Sequence, residues 1–265
     1  MNASAPSAAD VSAGATARGE GIEPASKALL EIDRVGKRFG GVVALSAVSF
    51  AVAPETVAGL IGPNGSGKTT LLNVINGITP CDSGEVRLGG RSLRGRRPSD
   101  LAAGGLSRTF QTTRVFRTLT VLQNMFIPLL HRSELERRAA ARRAADLLAF
   151  VGLGLLSDRA ASELSGGQQR LLEFARALVT GPRLVLMDEP FAGVHPEIKS
   201  VLIRCIRATV EREGASFLIV SHEVPDLVGM SDFMVCLVDG RVAARGVPRD
   251  VVREERVIEG YLGRA

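Results

Sequence analysis

A glycine-rich segment, Gly62–Thr69, constrains the fold of this chain more than any other feature. It reads Gly-Pro-Asn-Gly-Ser-Gly-Lys-Thr and fits the pattern G-x-x-x-x-G-K-[ST]. The apolar run Thr56–Ile61 before it predicts a short strand, and Lys68–Ile78 predicts a helix after it. A strand, a glycine loop and a helix in this order present backbone N–H groups and a helix N-terminus to phosphate. The segment therefore predicts a phosphate-binding cradle at a strand-to-helix turn.

The residue types of this cradle suit a nucleotide bound with Mg²⁺. Glycines let consecutive N–H groups approach the β- and γ-phosphates, Lys68 adds a compact positive charge, and the Thr69 hydroxyl can bind Mg²⁺. The chain has only four lysines among its 33 basic residues, which makes a lysine in this loop a specific choice. The expected contacts come from Gly62, Pro63, Asn64, Gly65, Ser66, Gly67, Lys68 and Thr69.

A second glycine loop, Leu164–Gln169, has no nearby lysine. Ser165 can cap the helix that follows or bond an anion, while Gly166, Gly167 and Gln168 can offer N–H groups at the helix N-terminus. This loop provides half of a phosphate site. One chain with a complete cradle and a half-cradle predicts a site shared between two molecules.

Two carboxylates follow a predicted buried strand. The apolar run Leu184–Met187 leads directly into Asp188 and Glu189. Ligands of open parallel sheets gather at the carboxyl ends of strands, so both carboxylates are expected beside the cradle. Asp188 is then placed to reach Mg²⁺ through water, and Glu189 to act as general base on the attacking water. A helix cap or a surface carboxylate pair is the alternative.

Two more polar residues end predicted strands at the same edge. His222 follows the apolar strand Ser216–Val220, which favours a contact with the γ-phosphate over a purely structural histidine. Gln111 directly follows the predicted strand Leu106–Phe110, where its side chain could touch Mg²⁺ or water. Read alone, the residue could equally have no role in the site.

The order of elements predicts a parallel, three-layered α/β core, because strands alternate with helices along the chain. The Arg/Ala-rich stretch Val121–Val151 has a helical pattern and suggests an inserted helical subdomain. Residues 1–27 are rich in Ala, Ser and Gly, and we expect a disordered leader rather than a secretory signal. The other predicted elements are strands Ala28–Val35, Leu45–Ala53 and Gly84–Leu88, the hairpin Phe233–Val238 with Arg241–Ala244, helices Gln168–Val179 and Pro196–Glu213, and short C-terminal helices.

Charge is unevenly distributed along the chain. Residues 87–143 hold 13 arginines against three acidic residues, a local excess of +10 within a net charge of +5. A solvated arginine-rich face explains this excess, as does a surface near anionic lipid headgroups or an acidic partner. The 4% aromatic content lacks the interleaving typical of nucleic-acid binding, and no nucleic-acid partner is expected. No apolar run is long enough to cross a bilayer, and three cysteines without paired spacing argue against a zinc site.

Taken together, these segments resemble, in order and spacing, the ATP-binding subunit of an ABC transporter. The resemblance covers about residues 28–265 and rests on Gly62–Thr70, Gln111, Leu164–Gln169, Leu184–Glu189 and His222. It implies a RecA-like P-loop NTPase core with an antiparallel β subdomain. It also implies a helical subdomain near residues 112–163, C-terminal helices near residues 248–263, and binding of ATP and Mg²⁺.

The resemblance implies a role for each matching residue. Gly62–Thr70, with Thr70 as its last member, corresponds to the Walker A loop, and Ser165–Gln169 to the signature that completes the ATP site of a second subunit. Phe39 resembles the aromatic residue that stacks on adenine, with a core phenylalanine as the alternative. The remaining roles belong to the Q-loop glutamine Gln111, the Walker B carboxylate Asp188, the catalytic base Glu189 and the switch histidine His222.

Finer features resemble branched-chain amino acid uptake ATPases, and importers for urea or short amides share much of the pattern. These features are Ser107–Gln111, Val115–Asn124, Glu189–Gly193 and Val257–Gly263. The resemblance implies two ATP-binding subunits, paralogous or identical, that close around two ATP molecules at the cytoplasmic face of the inner or plasma membrane. It implies separate transmembrane permease subunits and, indirectly, a periplasmic or extracellular solute-binding protein. The chain departs from the family at His195, where Asp or Asn is usual in the loop that couples the two ATP sites.

Three other functions share parts of this pattern. An exporter ATPase for lipid or lipopolysaccharide would share Pro190–Gly193. A soluble ABC ATPase of DNA repair or translation usually carries tandem cassettes or a long coiled coil, and the sequence indicates neither. A small-molecule kinase would leave Leu164–Gln169 and His222 without a role. The sequence therefore favours an importer ATPase, whose solute is chosen by other subunits.

Overall fold

The computed structural model describes residues 28–112, 114–130 and 134–262. The predicted leader, residues 1–27, and the last residue of the Val257–Gly263 motif lie outside these ranges. The strands are β1 (Leu30–Phe39), β2 (Val42–Val52), β3 (Val57–Ile61), β4 (Ser83–Leu88), β5 (Arg91–Ser92), β6 (Leu106–Arg108), β7 (Leu184–Asp188), β8 (Ser216–Val220), β9 (Phe233–Val238) and β10 (Arg241–Gly246). The helices are α1 (Lys68–Ile75), α2 (Pro98–Ala103), α3 (Val121–Phe126), α4 (Glu134–Phe150), α5 (Gly166–Leu178), α6 (Pro196–Glu213), α7 (Val224–Met230), α8 (Pro248–Val251) and α9 (Glu255–Leu262).

A six-stranded sheet forms the centre of the molecule, in the order β10-β9-β3-β8-β7-β6. Its neighbouring strands pair in parallel except for the antiparallel hairpin of β9 and β10. Strands β3, β7 and β8 are buried along their whole length, because both faces of the sheet are covered. Unpaired polar side chains are costly inside such strands, and they gather instead where the strands end.

Side chains of the central sheet alternate between two cores. In β7, Leu184 and Leu186 belong to the core that the second sheet and α1 share. The intervening Val185 and Met187 belong to the core formed with α3, α4, α5 and α6. Successive residues of a strand point to opposite faces, so a strand covered on both sides is apolar at every position. The predicted three-layered α/β core is confirmed.

The second sheet is antiparallel, in the order β2-β1-β4-β5, and confirms the predicted antiparallel β unit. Strand β1 continues to Phe39, four residues beyond the predicted end at Val35. Register shifts between Ile32 and Arg38 interrupt its pairing with β2. These irregularities break the alternation of apolar and polar residues, which is why the sequence pattern predicted an earlier end.

The described part of the stretch Val121–Val151, for which the sequence predicts helical structure, contains the α-helices α3 and α4. Helix α3 ends at Phe126, and a 3-10 turn, Ile127–Leu129, follows it. Pro128 lies inside this turn and has no N–H to continue an α-helix. Both α3 and α4 pack on α5 through apolar side chains of the helical core. The short elements β5, α2 and α7 were not predicted.

None of the helices in the described ranges combines the length and the apolar character that a membrane crossing requires.

Gly84 and Gly90 provide a matched test of packing in the antiparallel sheet. Their φ angles are +76° and +75°, but a Cβ on Gly84 would lie 2.3 Å from the Arg34 carbonyl oxygen, while a Cβ on Gly90 would meet open space. We predict that Gly90→Ala costs about 1 kcal/mol of stability, the cost of positive φ alone. Gly84→Ala should cost about 1–3 kcal/mol more, because the clash adds to the backbone strain. Urea unfolding of the two variants measures the difference, and equal midpoints would contradict this packing.

Candidate functional site

A cleft at the carboxyl edge of the central sheet brings most of the predicted site residues together. Its volume is about 280 Å³. The glycine loop after β3 forms one wall, and residues from the ends of β7 and β8 form another. The cleft is lined by Val42, Val43, Ala44, Asn64, Gly65, Ser66, Gly67, Lys68, Thr69, Thr70, Gln111, Asp188, Glu189 and Val220.

The backbone of the glycine loop depends on two residues without a Cβ. Gly62 has a φ of +149°, and a Cβ there would lie 2.2 Å from the carbonyl oxygen of Leu237. Gly67 has a φ of +101° and is the N-cap of α1, and its Cβ would lie 2.5 Å from the carbonyl oxygen of Ala44. Any other residue would strain the backbone and displace a neighbouring strand or loop. These contacts fix the loop between β3, β9 and β2.

Lys68 lies at the start of α1 and is 8% exposed. Its ammonium donates hydrogen bonds to the carbonyl oxygens of Gly62, at 2.7 Å, and Pro63, at 2.9 Å. Burial lowers the pKa of Lys68, and the nearby carboxylates of Glu189 and Asp188 partly offset this shift. An ammonium bound only to loop carbonyls can exchange them for phosphate oxygens, which are stronger acceptors.

Asp188 ends β7 and is paired with an arginine that the sequence analysis did not assign to the site. The Nη2 atom of Arg108, at the end of β6, lies 3.3 Å from Oδ2 of Asp188, and both side chains are buried. Arg108 also donates to Oδ1 of Asn73 on α1, at 2.7 Å. Burial raises the pKa of Asp188, and the charge of Arg108 opposes that shift. The pairing keeps a buried carboxylate oriented toward the cleft wall.

Glu189 and His222 meet at the ends of adjacent strands. Nδ1 of His222 lies 2.9 Å from Oε2 of Glu189, and the backbone N–H of His222 donates to the same oxygen at 3.2 Å. The Glu189 side chain is 11% exposed, whereas the His222 ring is 61% exposed. Glu189 has a φ of +49°, a conformation that non-glycine residues adopt rarely and often at functional sites. The pair presents an oriented carboxylate at the cleft.

Gln111 lines the cleft, but it does not end a strand. Strand β6 stops at Arg108, two residues before the predicted end at Phe110. Beyond this point, Arg170 of α5 donates to the carbonyl oxygens of Phe110, at 2.9 Å, and Gln111, at 2.8 Å. The N–H of Thr109 still donates to Leu186 of β7 at 2.9 Å. From Phe110 onward the bonds from Arg170 hold the backbone against α5. The arginine that makes them follows the second glycine loop in the sequence, but only the fold reveals its partners.

The buried charge of Arg170 has a buried partner. Glu173, one turn later on α5, accepts a hydrogen bond from Nη1 of Arg170 at 3.1 Å and one from the backbone N–H of Arg114 at 3.3 Å. Burial raises the pKa of Glu173, and Arg170 opposes this shift most strongly. The second glycine loop and Gln111 are therefore connected through one helix.

The second glycine loop is a helix cap and does not line the cleft of its own chain. Oγ of Ser165 accepts from the N–H of Gln168 at 3.2 Å, and Oε1 of Gln168 accepts from the N–H of Ser165 at 2.9 Å. This reciprocal pair is a capping box. Ser165 and Gly166 are exposed, whereas a Cβ on Gly167 would lie 2.9 Å from Ile198 of α6. The loop thus offers an exposed, capped helix N-terminus.

Phe39 lies outside the cleft lining, at the end of β1. Its ring is 51% exposed and has the Lys37 ammonium 5.4 Å from its centroid. Its register partner, Val42, lines the cleft instead, together with Val43, and both valines are exposed. The alternative of a core phenylalanine is wrong, because half of the side chain is exposed.

His195 precedes α6 as its N-cap residue and makes no side-chain cap hydrogen bond. Its Nδ1 lies 4.0 Å from Oε2 of Glu197, and the ring is 71% exposed. The imidazole is therefore free to meet a neighbouring surface.

The donor set of the cleft fits Mg²⁺ bound together with phosphate. The hydroxyl of Thr69, the amide of Gln111 and the carboxylate of Asp188 supply oxygen, which this ion prefers. Within the described ranges, no cluster of three or more His, Cys, Asp or Glu side chains could hold a metal ion. Magnesium usually takes one or two carboxylates and completes its shell with water and substrate phosphates. Phosphate oxygens of a bound nucleotide and water would complete the coordination.

Comparison with known proteins agrees with this geometry. The family described as "ABC transporter" matches residues 45–192. The chain is 34% identical over 251 residues to the probable branched-chain amino acid transport ATP-binding protein LivG of Methanocaldococcus jannaschii, which covers 89% of this chain and 97% of that protein. It superimposes on the ADP conformation of an ATP-binding cassette of an ABC transporter with a TM-score of 0.81 and 33% identity, over 90% of this chain and 100% of that one. A dimeric post-hydrolysis ATP-binding cassette bound to ADP and Pi matches with a TM-score of 0.72 and 25% identity, over 83% and 99%.

Arg170→Met tests the buried connection between α5 and the segment around Gln111. The substitution leaves Glu173 buried without its cationic partner, and we predict a loss of about 3–5 kcal/mol in the free energy of unfolding near neutral pH. The double variant Arg170→Met/Glu173→Leu is the matched control. It should recover part of this loss, because the Glu173 carboxylate is no longer buried without Arg170, although Arg176 then loses the charge of the same carboxylate.

The loss in Arg170→Met should also depend on pH. Without Arg170, the pKa of Glu173 in the folded state rises further above its value in the unfolded chain. The folded state then binds the proton more tightly, so its relative stability increases as pH falls through that raised pKa. Urea unfolding should show the deficit shrinking from about pH 7 to about pH 5. A deficit that stays constant would mean that Glu173 is not left as a buried charge.

Proposed function

Because this chain belongs to the ABC transporter family of ATP-binding proteins, we propose that it is the ATP-hydrolysing subunit of an importer for branched-chain amino acids or related small amides or acids. The observation that carries the proposal is the cleft in which Lys68, Asp188 and Glu189 meet beside the glycine cradle. The likeness to LivG supports the class of solute, and separate permease subunits carry the solute across the membrane.

In this proposal ATP binds with its phosphates in the cradle. Residues Gly62–Thr70 surround the β- and γ-phosphates with N–H groups, and Lys68 exchanges its loop carbonyls for phosphate oxygens. Thr69, Asp188 and Gln111 would hold Mg²⁺, which neutralises developing phosphate charge when bound. Phe39 and the valines Val42 and Val43 offer apolar surface to the adenine from the β1–β2 hairpin.

Hydrolysis follows from the Glu189–His222 pair. The Glu189 carboxylate takes a proton from the attacking water as general base, and its low exposure protects it from bulk solvent. His222 holds the carboxylate in place before ATP arrives, at 2.9 Å, and its exposed ring can turn toward the γ-phosphate. Arg108 opposes the rise that burial causes in the pKa of Asp188, and its ion pair at 3.3 Å holds the carboxylate in place.

Completion of the site requires a second subunit, paralogous or identical. The capped N-terminus at Ser165–Gln168 is exposed and does not line the cleft of its own chain, so it is available to the ATP held by a partner. The dimeric cassette that matches this fold supports such a pairing. Hydrolysis then releases the pair, because ATP binds the closed state more tightly than the open one.

The permeases are proposed to dock beside Gln111. A groove of about 600 Å³ lies there, lined by Ser99 and Ala102 of α2, by Phe110, and by Arg176 of α5, among other residues. Pro128, in the helical part of the chain between α3 and α4, also lines this groove. The chain thus acts as a peripheral protein at the cytoplasmic face of the inner or plasma membrane. A periplasmic or extracellular solute-binding protein delivers the solute to the permeases.

Glu189→Gln tests the general base. The amide cannot accept the proton of the attacking water, so ATP hydrolysis should fall on the order of 100- to 10,000-fold while ATP binding persists. Size-exclusion chromatography with ATP should then show accumulation of the closed pair. Glu197→Gln is the matched control, because this carboxylate on α6 is 87% exposed and should leave hydrolysis unchanged. Hydrolysis at the wild-type rate in Glu189→Gln would refute the assigned role.

Ser165→Arg tests the shared site. A long charged side chain at the exposed cap should block approach to a partner's phosphates and abolish hydrolysis, while ATP binding at Gly62–Thr69 stays intact. Ser162→Arg, at another exposed position just before the loop, is the control and should behave as wild type. Loss of ATP binding in Ser165→Arg alone would mean that the two glycine loops serve the same chain.

A further inference from the structure

Tyr261 is the only tyrosine of the chain and lies near the end of α9. Its hydroxyl oxygen accepts a hydrogen bond from the backbone N–H of Gly62 at 2.8 Å. The two residues are 199 positions apart, so this contact exists only through the tertiary fold. Nothing in the proposed reaction uses the tyrosine, which makes the contact a separate feature of the glycine loop.

Both backbone groups of Gly62, its N–H and its carbonyl, make hydrogen bonds. Its N–H donates to Tyr261, and its carbonyl accepts from the ammonium of Lys68 at 2.7 Å. Gly62 is buried, and no residue with a Cβ fits there against the Leu237 carbonyl. A continuous set of hydrogen bonds therefore runs from α9 through the first residue of the cradle to its phosphate-binding lysine.

Helix α9 can reach the loop because it packs unusually closely on β9. A Cβ on Gly260 would lie 2.7 Å from Cγ2 of Val238, so only glycine allows this approach. Val257, one turn earlier, is 3% exposed and belongs to the helical core. Ile258, on the same helix, is 44% exposed. One face of α9 is thus fixed to the sheet, and this places the tyrosine hydroxyl at Gly62.

The hydroxyl remains neutral in this position. Tyr261 is 39% exposed. Its partial burial raises the pKa to about 12, and the bond from Gly62 opposes that shift. Negative charge at Cys236 and Glu189 would raise the pKa of Tyr261 further. A neutral phenol can accept the Gly62 N–H and still donate its own proton to water or to a ligand.

We propose that Tyr261 is a positioning residue of the phosphate cradle, and that its hydroxyl holds Gly62 so that the C-terminal helix sets the affinity of the loop for nucleotide. The inference rests on the proposed function, since the ligand is ATP at Gly62–Thr69. Loss of the hydroxyl leaves the Gly62 N–H without its partner and removes one of the bonds that hold Gly62, the residue whose carbonyl accepts from Lys68. The cradle is then less ordered before the phosphates arrive, and binding must supply that order.

Tyr261→Phe removes the hydroxyl and keeps the ring. Equilibrium dialysis with a non-hydrolysable ATP analogue should give a Kd raised by about three- to tenfold, the fold-change expected for the loss of one partly buried hydrogen bond. Ile258→Ala, on the exposed side of the same helix, is the matched control and should leave Kd unchanged. Thermal unfolding of both variants separates stability from affinity. A lower Tm of Tyr261→Phe with a wild-type Kd would show a merely structural role and overturn the proposal.

The wild-type chain provides a second measurement. It contains no tryptophan, so its intrinsic aromatic emission reports on Tyr261. The proposal predicts that tyrosine emission changes in a saturable way when the ATP analogue is added. The midpoint of this change should lie at the same analogue concentration as the midpoint of the dialysis curve. Emission that stays constant while dialysis shows binding would overturn it and leave the proposed function intact. If the wild-type chain binds no ATP, the proposed function fails and this inference fails with it.

Discussion

Burial of β3, β7 and β8 on both faces is the constraint on which the rest of the structure depends. Strands covered by two cores accept apolar side chains at every position, so polar side chains are displaced to the strand ends. Since these strands are parallel, their carboxyl ends meet at one edge. The cradle after Ile61, the carboxylates Asp188 and Glu189, and His222 all lie at that edge for this single reason.

A second theme is the use of buried charge to orient the site. Arg108 with Asp188, and Arg170 with Glu173, are pairs whose side chains are almost fully buried. Such pairs contribute little net stability, because desolvation offsets most of their attraction. They do specify geometry, since either charge alone would be costly in the interior. One pair orients a carboxylate toward the cleft wall, and the other holds the segment of Gln111 against the helix that begins at the second glycine loop.

The periodicity of apolar residues predicted most of the strands and helices. Where the structure differs from these predictions, a physical cause can be named. The bulges in β1 hid its last residues, because they interrupt the alternation on which strand prediction relies. The helical pattern of Val121–Val151 does not show where α3 ends, and the structure places that end just before the turn that contains Pro128. Strand β6 ends before Phe110, whose carbonyl instead accepts a hydrogen bond from Arg170, 60 residues away in the sequence. Phe39 lies beyond the predicted strand Ala28–Val35, and only the structure shows that its register partner Val42 lines the cleft.

The sequence by itself determined the chemistry of the cradle, the strand that precedes it, the carboxylates and histidine at the strand ends, and the capped second loop. These features follow from the type and spacing of residues within single strands, loops and helices, and such patterns are readable in the sequence. Only the tertiary structure decided which side chains touch: Arg108 with Asp188, His222 with Glu189, and Tyr261 with Gly62. These contacts join residues far apart in the chain. They form because packing of the two cores brings separate elements together, and no spacing within one element encodes that.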